Sequence, residues 1–195
     1  WAWKDPRTCL TLPFWRELLP TLRCVFCLRN PLDVASSLQK RNGFSLEKGV
    51  QLWLRYVTSA LEYSTGQSRL FLFYEDVLTD RQEELRRLAQ FIAYPEKVFP
   101  AALFQEIDTF IESELQHHQT PALEVTHETR FAIIAKAFYL TLKVYAVLNE
   151  YAERLHLLPP VHLQYTLINI GHFCLEAQAD INHLERELAD RKSVV

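Results

Sequence analysis

Between Leu46 and Tyr63 the apolar residues Leu46, Val50, Trp53, Leu54, Val57 and Leu61 recur at three- and four-residue steps, the spacing of an amphipathic helix. Two short apolar runs flank it, Arg23–Leu28 (RCVFCL) and Leu70–Tyr74 (LFLFY), too short for helices and rich in β-prone residues, so they predict buried strands. Asn30 followed by Pro31 predicts a helix over Pro31–Arg41, because Asn caps helices well and Pro is favoured at the first helical position. Asp33 then falls at the third position, where a carboxylate suits the exposed amides. Gly43 breaks this helix, Ser45 with Lys48 starts the next, and Ser64–Ser68 makes a turn. Asp80 is expected to cap a helix over Arg81–Ile92 with Leu85, Leu88 and Ala89 facing inward. Before all of this, Trp1–Arg7 reads as a strand end and its loop. A short helix follows over Pro13–Leu19, capped by Thr8 or Thr11 and ended by Pro20. Strand, helix, strand, helix in this order implies parallel strands covered by helices on both faces.

The second half is expected to be helical. Phe99–Gln116 is followed by the polar loop 117–121. A long helix over Arg130–Leu157 carries Phe131, Ile134, Phe138, Leu142, Tyr145 and Leu148 on one side, and Pro159-Pro160 ends it. Beyond the prolines Leu163, Leu167, Ile170, Cys174, Ala177, Ile181, Leu184 and Leu188 form a seam of about three heptads, with Gly171 at a non-seam position and Arg191 at its fraying end. Three segments result: a core over 1–95, a helical completion over 96–158 and a heptad-like C-terminal helix over 159–195. That last helix should form a weak parallel homodimer or dock on Arg130–Leu157, burying Ile170, Ile181 and Leu184 in either case.

Composition narrows the function classes. With 195 residues, 49% hydrophobic and a formal net charge of −3, the chain is not a generic nucleic-acid binder, though a local basic pocket is allowed. The most apolar stretch, Ala132–Leu148, is interrupted by Lys136 and Lys143 and reads as an amphipathic helix rather than a membrane span. Cys24 and Cys27 imitate C-x-x-C, but within a strand they point to opposite faces, so buried thiols and a reducing, cytoplasmic setting are expected. No Cys/His spacing fits zinc, and no metal is expected. The chain starts at Trp1, contains no Met and has only four Gly, which form no glycine-rich phosphate loop. It therefore reads as an internal piece of a longer protein.

The candidate chemistry sits where the first strand gives way to a helix, the place where open α/β sheets bind ligands. Arg29 lies at that junction, and Ser37 and Arg41 share a helix face one turn apart, a plausible phosphate site. Arg29 with Ser37 eight positions on resembles the motif by which sulfotransferases hold the 3′-phosphate of 3′-phosphoadenylyl sulfate (PAPS). Lys4-Asp5-Pro6-Arg7-Thr8 resembles the KDP segment of tyrosylprotein sulfotransferases and their bacterial relatives, and Phe73-Tyr74-Glu75-Asp76 resembles the superfamily's YED segment. The resemblance covers the first half of the chain. It implies a partial P-loop-NTPase-like parallel sheet flanked by helices, with an α-helical C-terminal extension. It implies PAPS as sulfuryl donor and a hydroxyl acceptor on a glycan or peptide. Arg29, Ser37 and Arg41 would serve the 3′-phosphate, Tyr74 would touch the nucleotide, and Lys4 would stabilise the charge passing to the leaving phosphate. The general base and the loop for the 5′-phosphosulfate would lie upstream.

Each residue also has a plainer role. Arg29 could be a structural ion pair, Lys4 and Asp5 a charged turn, Tyr74 a core aromatic, and Arg41 a solvated helix residue. Glu75 and Asp76 look like supports or helix caps. His117 and His118 are read as solvated. Two other classes remain open: a kinase-like nucleotide enzyme of the P-loop type, and a helical interaction protein with a vestigial nucleotide site.

Overall fold

The computed structural model describes residues 2–93, 105–107, 109, 130–157 and 160–193. The elements are α1 (Thr8–Leu18), β1 (Arg23–Leu28), α2 (Pro31–Asn42), α3 (Leu46–Tyr63), β2 (Ser68–Phe73), α4 (Tyr74–Thr79), α5 (Arg81–Phe91), α6 (Arg130–Arg154) and α7 (Val161–Ser193). The expected helix over Phe99–Gln116 and the loop at 117–121 fall outside the described residues, except for 105–107 and 109, which are helical.

The protein is mainly helical around a two-stranded parallel sheet, β1 beside β2 in the register Arg23↔Ser68 to Leu28↔Phe73. Pleating puts Phe26 and Leu28 of β1 on one face with Arg69, Phe71 and Phe73 of β2. That face is the core: Phe26 stacks on Phe71 at 5.0 Å, and α6 adds Tyr145 against Phe71 and Tyr139 against Phe73. Leu54 and Leu61 of α3, Leu142 of α6 and Leu167 of α7 join the same cluster, so the C-terminal helices belong to the core that the first half builds. On the other face α5 brings Leu85 and Leu88 near Leu72, while Val25 and Cys27 of β1 stay exposed.

The helix starts follow local chemistry. Asn30 Oδ1 accepts from the Leu32 amide at 3.0 Å with Pro31 at the first position. Gly43 ends α2 at φ 68°, a conformation that L side chains resist, and Ser45 accepts from the Lys48 amide to start α3. Asp80 stands before α5 but makes no side-chain cap. Gly49 of α3 lies against Ala35 of α2 so closely that a Cβ there would sit 2.6 Å from the Ala35 Cα, which explains how the two helices meet.

Besides the missing Asp80 cap, four expectations need correction. No strand forms before Arg7 among the described residues. Instead Asp5 accepts from the Arg7 amide at 2.8 Å, and this turn launches α1 at Thr8, five residues earlier than expected, with Pro13 inside the helix. Tyr74 does not end a strand but opens α4, a one-turn helix that the pattern did not reveal. The long helix buries Phe138, Leu142 and Tyr145 as expected, but the inward face is turned toward Ala135, Tyr139 and Asn149, so Ile134 and Leu148 are exposed. Its stretch Ala132–Arg154 is long and apolar enough to cross a membrane by length and composition (mean hydropathy 1.3), yet half of it is buried inside the protein.

The fourth correction concerns α7. It packs on α3 as well as α6, and the buried row is Gln164, Leu167, Ile168, Gly171, Cys174 and Gln178. This row is rotated from the expected seam, so Ile170 is 39% exposed. Gly171 explains the rotation, because a Cβ there would sit 2.1 Å from Thr58 Oγ1 of α3. The Ile181 and Leu184 side chains lie outside what the structure describes.

Candidate functional site

The carboxyl ends of β1 and β2 lie side by side because the strands are parallel and paired Leu28↔Phe73. The next residues, Arg29 and Tyr74, therefore emerge together. The Arg29 guanidinium lies over the Tyr74 ring, 4.5 Å from its centroid, and its Nε is 3.8 Å from Asp33 Oδ2. Asp33, Ser37 and Arg41 follow one another at four-residue steps, so Arg29 is held at the N-terminal end of the stripe that carries the two other phosphate candidates.

A pocket of about 340 Å³ opens at this end of the sheet, lined by Arg29, Tyr74 and Cys27 over an apolar wall from Leu72, Leu85 and Leu88. Lys4 is exposed and lies outside this lining. Partial desolvation raises the pKa of the Cys27 thiol, and the nearby Lys4 charge pulls it back. The Asp5–Arg7 pair (2.9 Å) holds the turn beside it, and hydrogen bonds from Arg7 lower the Asp5 pKa. Arg7 is thus committed to the turn, while Lys4 acts on the pocket through its charge on Cys27.

Two of the five candidates, Arg29 and Tyr74, meet here, and the Lys4 charge acts on Cys27 beside them. Ser37 is exposed on the same helix stripe. Arg41 is exposed too, and its Nε donates to Asn42 Oδ1 at 3.0 Å, so it is turned to its neighbour and not into the pocket.

Each residue of the Y-E-D segment has its own task. Tyr74 supports Arg29; Glu75 accepts from the Asn30 amide at 2.9 Å and from the Tyr139 hydroxyl; Asp76 pairs with Lys143 at 2.7 Å. Both carboxylates are supports, as their sequence context suggested. Trp53 Nε1 donates to the Arg29 carbonyl at 3.0 Å. On the α5–α6 side Arg87 bridges Glu84 and Glu150, and burial raises the pKa of Glu84.

Sequence reasoning missed Tyr139, Lys143 and Arg69. The first two sit on a helix whose apolar periodicity hides their polar ends. Arg69 of β2 is only 6% exposed; its Nη2 donates to the Tyr145 hydroxyl at 2.5 Å and to Gln164 Oε1 at 2.8 Å. A charged residue opening an apolar run is a signal that could have marked it. Cys24 and Cys27, like Cys9 and Cys174, are free thiols, and no group of His, Cys, Asp and Glu among the described residues could hold a metal ion. Comparison of the chain with protein-family models, with curated proteins and with solved structures returned no match.

Proposed function

We propose that this site binds the 3′-phosphate end of PAPS and that the protein serves sulfuryl transfer to a hydroxyl on a glycan or peptide. In this reading β1 and β2 belong to a nucleotide-binding sheet of the P-loop-NTPase type. The observation that carries it is the meeting of Arg29 and Tyr74 at the carboxyl end of two parallel strands, beside the N-terminus of α2, with the Lys4 charge acting on Cys27 of the same pocket. Arg29 brings a charged fork suited to phosphate oxygens, already backed by a ring. Ser37 would add a hydroxyl along the same stripe, and Arg41, now turned to Asn42, would have to swing away from it to bring a second guanidinium. In the transfer the acceptor oxygen forms a bond to sulfur, the bond from sulfur to the 5′-phosphate oxygen breaks, and the hydroxyl proton passes to a general base. The departing 3′,5′-ADP gains negative charge, which Lys4 offsets in this reading.

Calorimetry with two nucleotides tests the donor assignment. The protein should bind 3′,5′-ADP at least about tenfold more tightly than 5′-AMP, because only the former offers a 3′-phosphate to Arg29. Equal affinity would remove the assignment. Binding of neither would favour an interaction protein, a class consistent with the apolar residues exposed on α6 and α7, such as Val147 and Phe173.

Lys4 separates chemistry from binding. In turnover with labelled PAPS, Lys4→Ala should lower kcat by about tenfold or more while leaving the affinity for 3′,5′-ADP unchanged. An intact kcat would reduce Lys4 to part of the turn.

A further inference from the structure

The peptide unit joining Arg29 to Asn30 is held at both ends. Its carbonyl accepts from Trp53 Nε1 at 3.0 Å, and its amide donates to Glu75 Oε1 at 2.9 Å. Such a group can flip by counter-rotation of the two flanking dihedrals, which would re-aim the residue before it. Two opposed hydrogen bonds prevent this, since a flip would lose both and leave buried polar groups unpaired.

Both holders meet on one residue from a distant part of the chain. Tyr139 of α6 donates its hydroxyl to Glu75 Oε2 and sets its ring against the Trp53 indole, with centroids 6.0 Å apart at 70°. It also packs edge-on against Phe73, the last residue of β2, at 5.6 Å. One turn further, Lys143 pairs with Asp76 and lies 4.9 Å from the centroid of the Phe73 ring. Tyr139 is 3% exposed, and burial and the Glu75 carboxylate raise its phenol pKa, so it remains a donor at neutral pH.

We propose that Tyr139 is a positioning residue for Arg29: by orienting Glu75 and Trp53 it fixes the Arg29–Asn30 peptide and thereby the direction from which Arg29 meets an anion. Glu75 has two oxygens and two tasks here. Without the Tyr139 hydroxyl its carboxylate loses one of its two donors among the described residues and is free to turn away from the Asn30 amide. The α2 N-terminus would keep its Asn30 side-chain cap, so the helix persists while its entry peptide loosens. The ligand named here rests on the nucleotide reading above, whereas the clamp rests on the geometry alone.

The test is Tyr139→Phe in the full chain, which keeps the ring against Trp53 and Phe73 and removes only the hydroxyl. Amide exchange followed by NMR should show the Asn30 amide exchanging at least about tenfold faster, with the α3 amides unchanged. The affinity for 3′,5′-ADP should fall by about tenfold in the same variant. An unchanged Asn30 exchange rate would overturn the proposal. So would a uniform acceleration across α2, α3 and α6, the signature of a merely structural role, or an unchanged affinity in a wild type that binds. If wild-type protein fails to bind 3′,5′-ADP, the nucleotide reading falls, and the exchange rates alone decide the clamp.

Discussion

Replacing Arg29 by Ala should weaken binding of 3′,5′-ADP by tens to hundreds of fold, the equivalent of ~2–4 kcal/mol for losing a charge-assisted, partly buried phosphate contact. The side chain is about one-quarter exposed, so solvent screening places the effect below what a fully enclosed pair would give. Binding of 5′-AMP should change much less. Arg29→Lys is the informative companion. It keeps the charge but loses the planar fork and its packing on Tyr74, so its affinity should fall between the other two. Melting curves guard the interpretation, because removing Arg29 also leaves the 5%-exposed Asp33 without its facing charge. A modest loss of stability is expected, while unaltered calorimetry for 3′,5′-ADP would show that the 3′-phosphate lies elsewhere.

A large stability effect is expected at Gly171. A methyl group there would be 2.1 Å from Thr58 Oγ1, 2.9 Å from its Cγ2 and 3.1 Å from its Cβ. No rotation of Thr58 moves its Cβ, and the side chain is almost fully buried. Either α7 is pushed off α3 or both helices shift. Overpacking of this kind costs ~1–3 kcal/mol or more, which outweighs the ~1 kcal/mol gained by replacing Gly with Ala in a helix. Gly171→Ala should therefore lower the melting temperature by several degrees. Thr58→Ala removes two of the three conflicting atoms and an oxygen that has no hydrogen-bond partner among the described residues. Combined with Gly171→Ala it should restore most of the loss. Additive damage in the double variant would mean that the two helices do not meet at this point.

These two residues show what the sequence could and could not disclose. Arg29 was legible because its surroundings are local: a strand of six residues, an Asn–Pro helix start and a stripe at four-residue steps all lie within one short stretch. Leu46–Tyr63 was legible to the residue, since its apolar face points at a single large core. Gly171 carries no such signal. In a heptad reading it is an interruption, and only the neighbouring helix shows that it is the point of closest approach. The seam itself misled because Gln164, Gly171 and Gln178 share the buried row with Leu167 and Cys174, so polarity no longer marks the inward face. Gln164 is buried because it satisfies Arg69 and Thr65, a demand created by residues about a hundred positions away. Tyr139 and Lys143 were hidden in the same way. Their rings and stems follow the apolar period, and their polar tips answer to Glu75 and Asp76. The one-turn helix at Tyr74 escaped because its first residue continues an apolar run. Pro13 misled through its usual exclusion from helix interiors.

The bond between Tyr139 and Glu75 spans 64 residues of chain, and that separation has a consequence for synthesis. On a ribosome adding ~5–20 residues per second, roughly 3–13 seconds pass between the emergence of Glu75 and that of Tyr139. During this interval Arg29, Ser37 and Tyr74 are already outside, and α2 and α3 can pair through Gly49 and Ala35. The face of β2 that later receives Tyr139 and Tyr145 is still bare, an apolar strand surface of the kind that aggregates or calls for a chaperone. Nascent chains halted before α6 should accordingly be protease-sensitive, and resistance should appear only once that helix has cleared the exit tunnel.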